Sequence, residues 1–565
     1  MVAPHRRSRS AAYGGRISWR RAALAGDGFR AALGGLAMLW FSGWLLSVVA
    51  LLSSEPRTLA PDFEVVNYDL ELRIEPPTKL IQGVAKVTLR AGGEPLSEAT
   101  FALNEALEVT ALERDRGKAS FTRGERVAEG RALQVGFDPP LAPNSEGSLV
   151  FEYRGVGLDP DENGADWMGI LLVRDDELRM SHQAQWYPIV PRDERARSKL
   201  AAPVELALDL PPGLESLGPG RLAGVKKSKG REIHRWSCVR AVHPSILAGK
   251  FKAQLVKRGP LSVRALAFPE HAPGAKRWAE DALASLETLS DWLGPLDIAN
   301  YGLGEMRVRN RGKSYNYEAD GFSVYDGVLF DGRAPDAKKI AHEVAHLWFG
   351  GAADAMGAGE RFLTEGLAEF AAWGAVERRS GEAAATEAAV GALGRYFNSP
   401  GAEHALDATD FASPRYVQVA YAKGAFAVRT LRAWIGADAV DAGMRAYLQE
   451  ARARSGAATL ESFLDALRAQ GAAEVDAWAE DWLRRPGAPR YAVELTGDNS
   501  GVLVQTGQLY RNPLELELTL ASGARHTLVV RPTALSTPWK LEPGAKIASV
   551  ALDPRAFVLF EREKR

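Results

Sequence analysis

A chain of 565 residues is several times longer than one hydrophobic core requires, which argues for three or four domains. Hydrophobic residues at 46% and charged residues at 25% are globular proportions, and they exclude disorder beyond roughly the first 30 residues. Seventy basic against 71 acidic residues leave a formal charge of −1, so no overall field recommends nucleic acid, and the single cysteine excludes an intramolecular disulfide or a cysteine-based metal knuckle. Cys238 itself reads as a small buried apolar residue.

In chain order, residues 1–30 form a basic leader in which Arg6, Arg7, Arg9, Arg16, Arg20, Arg21 and Arg30 face only Asp27. Residues 31–54 carry no charge, and Leu33, Leu36, Trp40, Phe41, Trp44, Leu45, Val48 and Leu51 make them strongly apolar. About 20 such residues cross a hydrocarbon layer as a helix. The run therefore predicts one transmembrane signal anchor, with the N-terminus cytoplasmic and the later domains extracytoplasmic by the positive-inside rule. The competing reading is a cleaved signal peptide with its site near Val48-Val49-Ala50, leaving a secreted or periplasmic protein. The length of the apolar run, beyond the roughly 7–15 residues of a signal peptide's apolar core, ranks the anchor first.

The pattern then switches to period two. Tyr68, Leu70, Leu72 and Ile74 alternate with Asp69, Glu71, Arg73 and Glu75, Pro76-Pro77 breaks the run, and Ala85, Val87 and Leu89 resume it. Similar short runs predict an all-β domain over 58–258. From Pro273 the period lengthens: Trp278, Ala282, Leu286, Leu289 and Leu293 share one helical face, ended by Gly294-Pro295. Helical segments dominate 259–488, with a strand-like piece near Phe322 to Leu329, and alternation returns at Leu514, Leu516, Leu518 and Leu520, predicting a small C-terminal β domain over 489–565. The fold class expected is thus multidomain: a transmembrane helix, an N-terminal all-β domain, a mainly α domain and a small β domain.

The helical region contains His342-Glu343-Val344-Ala345-His346. Two histidines four apart lie on one helix face, as two ligands of a single ion require, and Glu343 beside them is placed to take a proton from water. Eighteen residues after His346 comes Glu365, at the start of another helical segment. Two histidines and one glutamate leave the fourth position of a zinc ion open, which is the catalytic arrangement, so one Zn²⁺ ion is the expected cofactor. Glu369, one turn beyond Glu365, is a candidate to orient a ligand histidine through its outer N–H.

This constellation resembles the gluzincin aminopeptidases of the membrane alanyl aminopeptidase and leukotriene hydrolase family. His346-Leu347-Trp348-Phe349-Gly350 is similar to that family's continuation of the zinc helix, and Tyr68-Asp69-Leu70-Glu71-Leu72 and Trp482 with Pro486-Gly487-Ala488-Pro489 extend the resemblance over most of 60–565. The resemblance implies a thermolysin-like catalytic domain. It also implies a role for Glu318, 24 residues before His342, where the family has Gly-x-Met-Glu-Asn and its glutamate holds the substrate's free α-amino group. Only that glutamate is kept: Tyr315, Tyr317 and Ala319 replace the other three. Tyr421-Ala422-Lys423-Gly424 resembles the family's Tyr-x-Lys-Gly, which implies Tyr421 as the donor to the tetrahedral intermediate, with Tyr416 as a packed aromatic. Gln183-Ala184-Gln185 looks like the family's Gln-x-Gln element, which implies Gln185 and Gln183 at the amine site.

The activity expected is zinc-dependent removal of N-terminal residues from peptides with a free N-terminus. The rival readings are a thermolysin-like zinc endopeptidase and a membrane-anchored peptide-binding protein with weak catalysis. The family's C-terminal helical domain finds no counterpart after residue 565, so a more open cleft is expected.

Overall fold

The computed structural model describes residues 63–127, 130–159, 169, 171–191, 201–296, 298–307, 316–330, 335–470 and 474–563. Alternation builds its first layer. In the strand Phe63–Glu75, Tyr68, Leu70, Leu72 and Ile74 are at most 4% exposed while Asp69, Glu71 and Arg73 face solvent. Each such side chain contributes about 1.5–3 kcal/mol by leaving water. This strand is central in a seven-stranded sheet, antiparallel to Leu80–Ala91 and parallel to Ala202–Leu210. A three-stranded sheet (Leu96–Asn104, Gly130–Leu141 and Lys118–Val127) and a four-stranded one ending in Glu177–Met180 and Leu172–Val173 share its core.

The next layer is a five-stranded mixed sheet in the order Lys252–Arg258, Leu261–Ala267, Asn300–Met306, Phe322–Asp326, Tyr317–Ala319. Lys252–Arg258 pairs with Leu261–Ala267, so the boundary expected at 258 falls inside a hairpin of this sheet. Over it lies helix α1 (Ala272–Leu293), which buries Trp278, Ala282, Leu286 and Leu289, with Trp278 stacked on Phe330 at 4.9 Å. Helices α2 (Ala337–Ala345), α3 (Leu367–Ser380), α4 (Glu382–Phe397), α5 (Gly424–Ile435), α6 (Ala437–Ala453), α7 (Leu460–Arg468) and α8 (Val475–Trp482) complete the helical part. Two small sheets follow, and Leu514, Leu516 and Leu518 join Tyr491 and Leu503 in one core continuous with the helices.

The architecture is therefore multidomain β/α/β, and it corrects the expected fold class in one respect. Among the described residues no helix is long and apolar enough to cross a membrane. Helix α1 has 22 residues, about the length that spans, but it carries Lys276, Arg277, Glu280, Asp281, Glu287 and Asp291 opposite its buried face. The run 31–54, to which the sequence assigned the signal anchor, lies outside the described residues together with the leader. The transmembrane helix, the membrane as a partner and the single-pass location accordingly form no part of the account.

Helix α8 is tied to the C-terminal sheets by a fully buried carboxylate. Asp481 accepts from Arg511 N at 3.0 Å and Arg511 Nη2 at 2.8 Å, and lies 3.1 Å from Arg485 Nη1. Removing it takes a shared acceptor from the Arg511 amide and from two partly exposed guanidinium groups, which keep Ala477 O and Leu509 O. Asp481→Ala is expected to destabilise the helical and C-terminal parts by about 2–4 kcal/mol, read as an earlier urea midpoint by tryptophan fluorescence. An unchanged midpoint would show that Asp481 couples nothing.

Candidate metal centre and active site

Helix α2 starts at Asp336, whose Oδ1 accepts from Lys339 N at 3.1 Å. Ile340, Ala341, Val344 and Ala345 bury the helix, and His342, Glu343 and His346 are carried in with them at 5–7% exposure. The helix ends at His346, and the turn that follows needs Gly350, whose φ of 115° side chains with a Cβ rarely adopt. That turn aims Phe349 O back at His346 Nδ1, 3.0 Å away. A carbonyl only accepts, so Nδ1 carries the proton and the Nε2 lone pair faces the site.

His342 is oriented in the same manner from the other side. Its Nδ1 lies 3.1 Å from Glu369 Oε2, while Glu369 Oε1 accepts from Lys338 Nζ at 2.7 Å and Trp373 Nε1 at 3.0 Å. The inner atoms then converge: the two Nε2 atoms are 3.2 Å apart, and Glu365 Oε2 is 3.4 Å from each. Ligands about 2.05 Å from a tetrahedral zinc ion stand about 3.3 Å from one another, so this triangle has the dimensions of one face of that tetrahedron. Glu365 Oε2 is also buried with no hydrogen-bond partner, a position that costs free energy unless a cation takes it.

The local charge has the matching sign. Burial disfavours a charged His346, yet Glu318 and Glu365 outweigh it and push the imidazole up to about 10. Burial would raise Glu365 and Glu369, but His346 and His342 in the first case, and Lys338 and His342 in the second, hold both below the usual carboxylate range. Glu343 behaves differently: burial prevails over the two histidines and pushes its carboxyl up to about 7. His342, His346 and Glu365 are the residues that would hold a zinc ion at this centre.

Both remaining segments of the site are π-helical turns, Phe362–Gly366 bearing Glu365 and Gln418–Lys423 bearing Tyr421. Such turns insert one extra residue and are frequent at functional sites. They cross where Gly366 meets Gly424: a Cβ on Gly424 would lie 2.8 Å from Gly366 Cα. The crossing lays the Tyr421 ring on the His342 imidazole, centroids 5.3 Å apart and 19° between planes. Burial, then Glu365 and Tyr416, push the Tyr421 phenol well above its ordinary range, so it remains an O–H donor. Tyr416 stands edge-on to Tyr421 at 6.0 Å and covers it, with Phe411 outside at 5.0 Å. Lys423 anchors the second turn from below, its buried Nζ donating to Glu403 Oε1 at 2.9 Å and Arg485 O at 2.6 Å. Glu403 also takes Tyr396 OH, Arg415 and Gly487 N.

Glu318 arrives from the sheet edge. Its neighbours Tyr317 and Ala319 are buried in the core of the N-terminal β layer, so strand alternation turns Glu318 to the other face. One carboxylate oxygen each of Glu318 and Glu343 and one ring nitrogen of His346 lie within 4.8 Å of one another. Tyr315 lies outside the described residues. Gln185 adopts φ 47°, its backbone carbonyl accepts from Asn104 N at 2.9 Å, and its Oε1 is packed against Gly130, where a Cβ would lie 2.1 Å from it. Among the described residues no hydrogen bond joins Gln183 or Gln185 to Glu318. His182, in the same 3₁₀ turn, packs instead against His243 at 4.4 Å, and His243 Nδ1 lies 3.6 Å from Glu318 Oε1. Neither histidine belongs to a motif, and the one hint in the sequence is that His182 directly precedes Gln183.

Comparison with known proteins agrees with this geometry. Residues 332–482 match the Peptidase family M1 domain. Aminopeptidase N of Lactococcus lactis subsp. lactis is 26% identical over 175 residues, 28% of this chain, which spans about a fifth (20%) of that relative's length. The M1 zinc metallopeptidase of Deinococcus radiodurans shares the fold with a TM-score of 0.60 at 19% identity, over 76% of this chain and 95% of that one. A glutamate-to-alanine mutant of the Deinococcus enzyme bound to a Tyr-Ser-Ala substrate gives 0.59 at 18% identity, over 75% and 94%. A two-domain M1 zinc metallopeptidase mutant bound to L-arginine gives 0.60 at 19%, over 75% and 95%. The buried triad lies within the segment that matches the Peptidase family M1 domain, so the metal-site geometry and the family match fall on the same residues.

Glu369→Gln, which keeps shape but loses the charge facing His342 Nδ1, is expected to weaken zinc binding about 10–100-fold in competition with a chromogenic chelator. Affinity equal to wild type would show that Glu369 does not orient the ligand.

Proposed function

We propose that the protein is a zinc-dependent aminopeptidase, similar in mechanism to the membrane alanyl aminopeptidase and leukotriene hydrolase kind, carried by a catalytic domain that opens with the strand Lys252–Arg258 and runs to about residue 488 between an N-terminal and a C-terminal β domain. The observation that carries the reading is the position of Glu318, whose carboxylate stands within 4.8 Å of the Glu343 and His346 atoms. An ammonium group held there by a charge-assisted hydrogen bond sets the first peptide carbonyl beside the zinc ligands, so cleavage counts from the N-terminus. The complexes of the solved relatives with a Tyr-Ser-Ala substrate and with L-arginine support the same substrate class.

When bound, zinc supplies Lewis acidity, lowering the pKa of water toward about 7 and polarising the carbonyl. Glu343 takes the proton of the attacking water as its oxygen bonds to the carbonyl carbon. Tyr421 donates its O–H to the carbonyl oxygen as that atom becomes an oxyanion, charge that exists only near the transition state. The carbon–nitrogen bond then breaks, and the proton held by Glu343 passes to the leaving amine. Glu369, Lys423 and Glu403 touch none of the reacting atoms; they hold His342 and Tyr421 in place.

Two outcomes test this. Hydrolysis of aminoacyl 4-nitroanilides is expected to vanish on N-acetylation, whereas equal rates on free and blocked substrates would favour the thermolysin-like endopeptidase reading, which shares the triad. Glu343→Gln is expected to lower kcat by about 10²–10⁴-fold with zinc retained, and Tyr421→Phe by about 10²-fold with KM little changed. Zinc-replete variants with wild-type kcat would dismiss these roles, and a zinc-loaded wild type without measurable hydrolysis would favour a binding protein.

A further inference from the structure

We infer that His243, braced by His182, is a positioning residue that completes the amine subsite around Glu318. The inference rests on the aminopeptidase reading and adds to it the source of selectivity for an N-terminal ammonium group. A carboxylate on a short edge strand is a loose recognition device on its own. Glu318 is half-buried, its strand has three residues, and its antiparallel partner Phe322–Asp326 lies on one side only. Something must fix which way its oxygens face.

The histidine pair meets that need from the β layer. His243 Nδ1 is 3.6 Å from Glu318 Oε1, longer than a direct hydrogen bond and short enough to bar the carboxylate from swinging away. His243 is in turn immobilised. Asp320, two residues after Glu318, takes His243 N at 2.8 Å and Val242 N at 2.9 Å, locking the two segments in register. His182 packs against His243 as a tilted ring pair, with centroids 4.4 Å apart and planes 36° apart, and its own backbone N donates to Ser245 Oγ at 3.0 Å. Three chain segments around 182, 243 and 318–320 thus converge beside the carboxylate, and the contacts join the β layer to the catalytic sheet at the point where the substrate's first residue is to be held.

An ordinary packing role and a positioning role differ in what a substitution changes. A packing defect lowers turnover of all substrates alike. Loss of Glu318 positioning lowers turnover only of substrates that present an ammonium group. The experiment compares kcat/KM of the full chain, zinc-loaded, on alanine 4-nitroanilide and on its lactic acid counterpart, in which a hydroxyl replaces the amine. Wild type is expected to prefer the amine strongly. His243→Ala is expected to reduce that preference about tenfold, through KM of the amine substrate, with the hydroxyl substrate changed less than about threefold. His243→Asn, which returns a polar group near the Nδ1 position, is expected to restore most of the preference, and His182→Ala to give a smaller loss in the same direction. Should His243→Ala fail to fold, the comparison of His243→Asn with His243→Leu carries the test, the leucine losing the preference and the asparagine keeping it.

Equal losses on both substrates, or a preference retained in the His243→Ala and His243→Leu chains, would overturn the inference while leaving the aminopeptidase reading intact. A wild type with no preference for the amine would overturn both.

Discussion

Three ligand atoms drawn to within 3.4 Å of one another inside a buried pocket are the constraint on which the catalytic half of the molecule depends. Two imidazole nitrogens and a carboxylate oxygen at this spacing present three donors to one cation, whose charge would offset the cost of burying the carboxylate. A zinc ion held there would bind helices α2 and α3 by more than their apolar contact, tying His342 and His346 to the turn that opens α3. The outer contacts point the same way. Phe349 O and Glu369 occupy the outer nitrogens of both rings, leaving each ring a single inward donor.

Around that fixed point the work is divided by rigidity. Helix α2 supplies two ligands and the proton-transfer group Glu343 on one continuous piece of backbone. The π turns bring Glu365 and Tyr421 from separate segments, and their glycine crossing sets the distance between metal ligand and phenol by direct backbone contact. The five-stranded sheet contributes through its edge strand, whose Tyr317 and Ala319 pack into the core of the N-terminal β layer so that Glu318 faces Glu343 and His346. The cleft is thus assembled from both cores, and relative movement of the layers would alter substrate capture before it altered metal binding.

Much of this was legible because it is local. Strand alternation at Tyr68 to Glu75, the helical face from Trp278 to Leu293 and the spacing of His342, His346 and Glu365 each follow from one short stretch of chain. What was not legible depends on contacts between distant stretches. Nothing in the sequence around 182 or 243 announces that the two imidazoles pack together, because their approach follows from the pairing of Glu177–Met180 with Ile246–Gly249. The direction of Gln185 was hidden for a related reason: a left-handed backbone at that residue turns its side chain onto Gly130, which no pattern of residue types signals. The π turns also escape periodicity, since one inserted residue shifts the phase only locally. The apolar run at 31–54 was read by composition alone, and the described fold has no helix of that kind.

The most direct test of the central claim is X-ray absorption at the zinc edge on the purified, metal-loaded protein, combined with metal quantitation. The account predicts one zinc per chain with two imidazoles and one carboxylate at about 2.0–2.1 Å and a fourth light ligand from solvent. A chain that binds no stoichiometric zinc, or a zinc shell with fewer than two imidazoles, would contradict it.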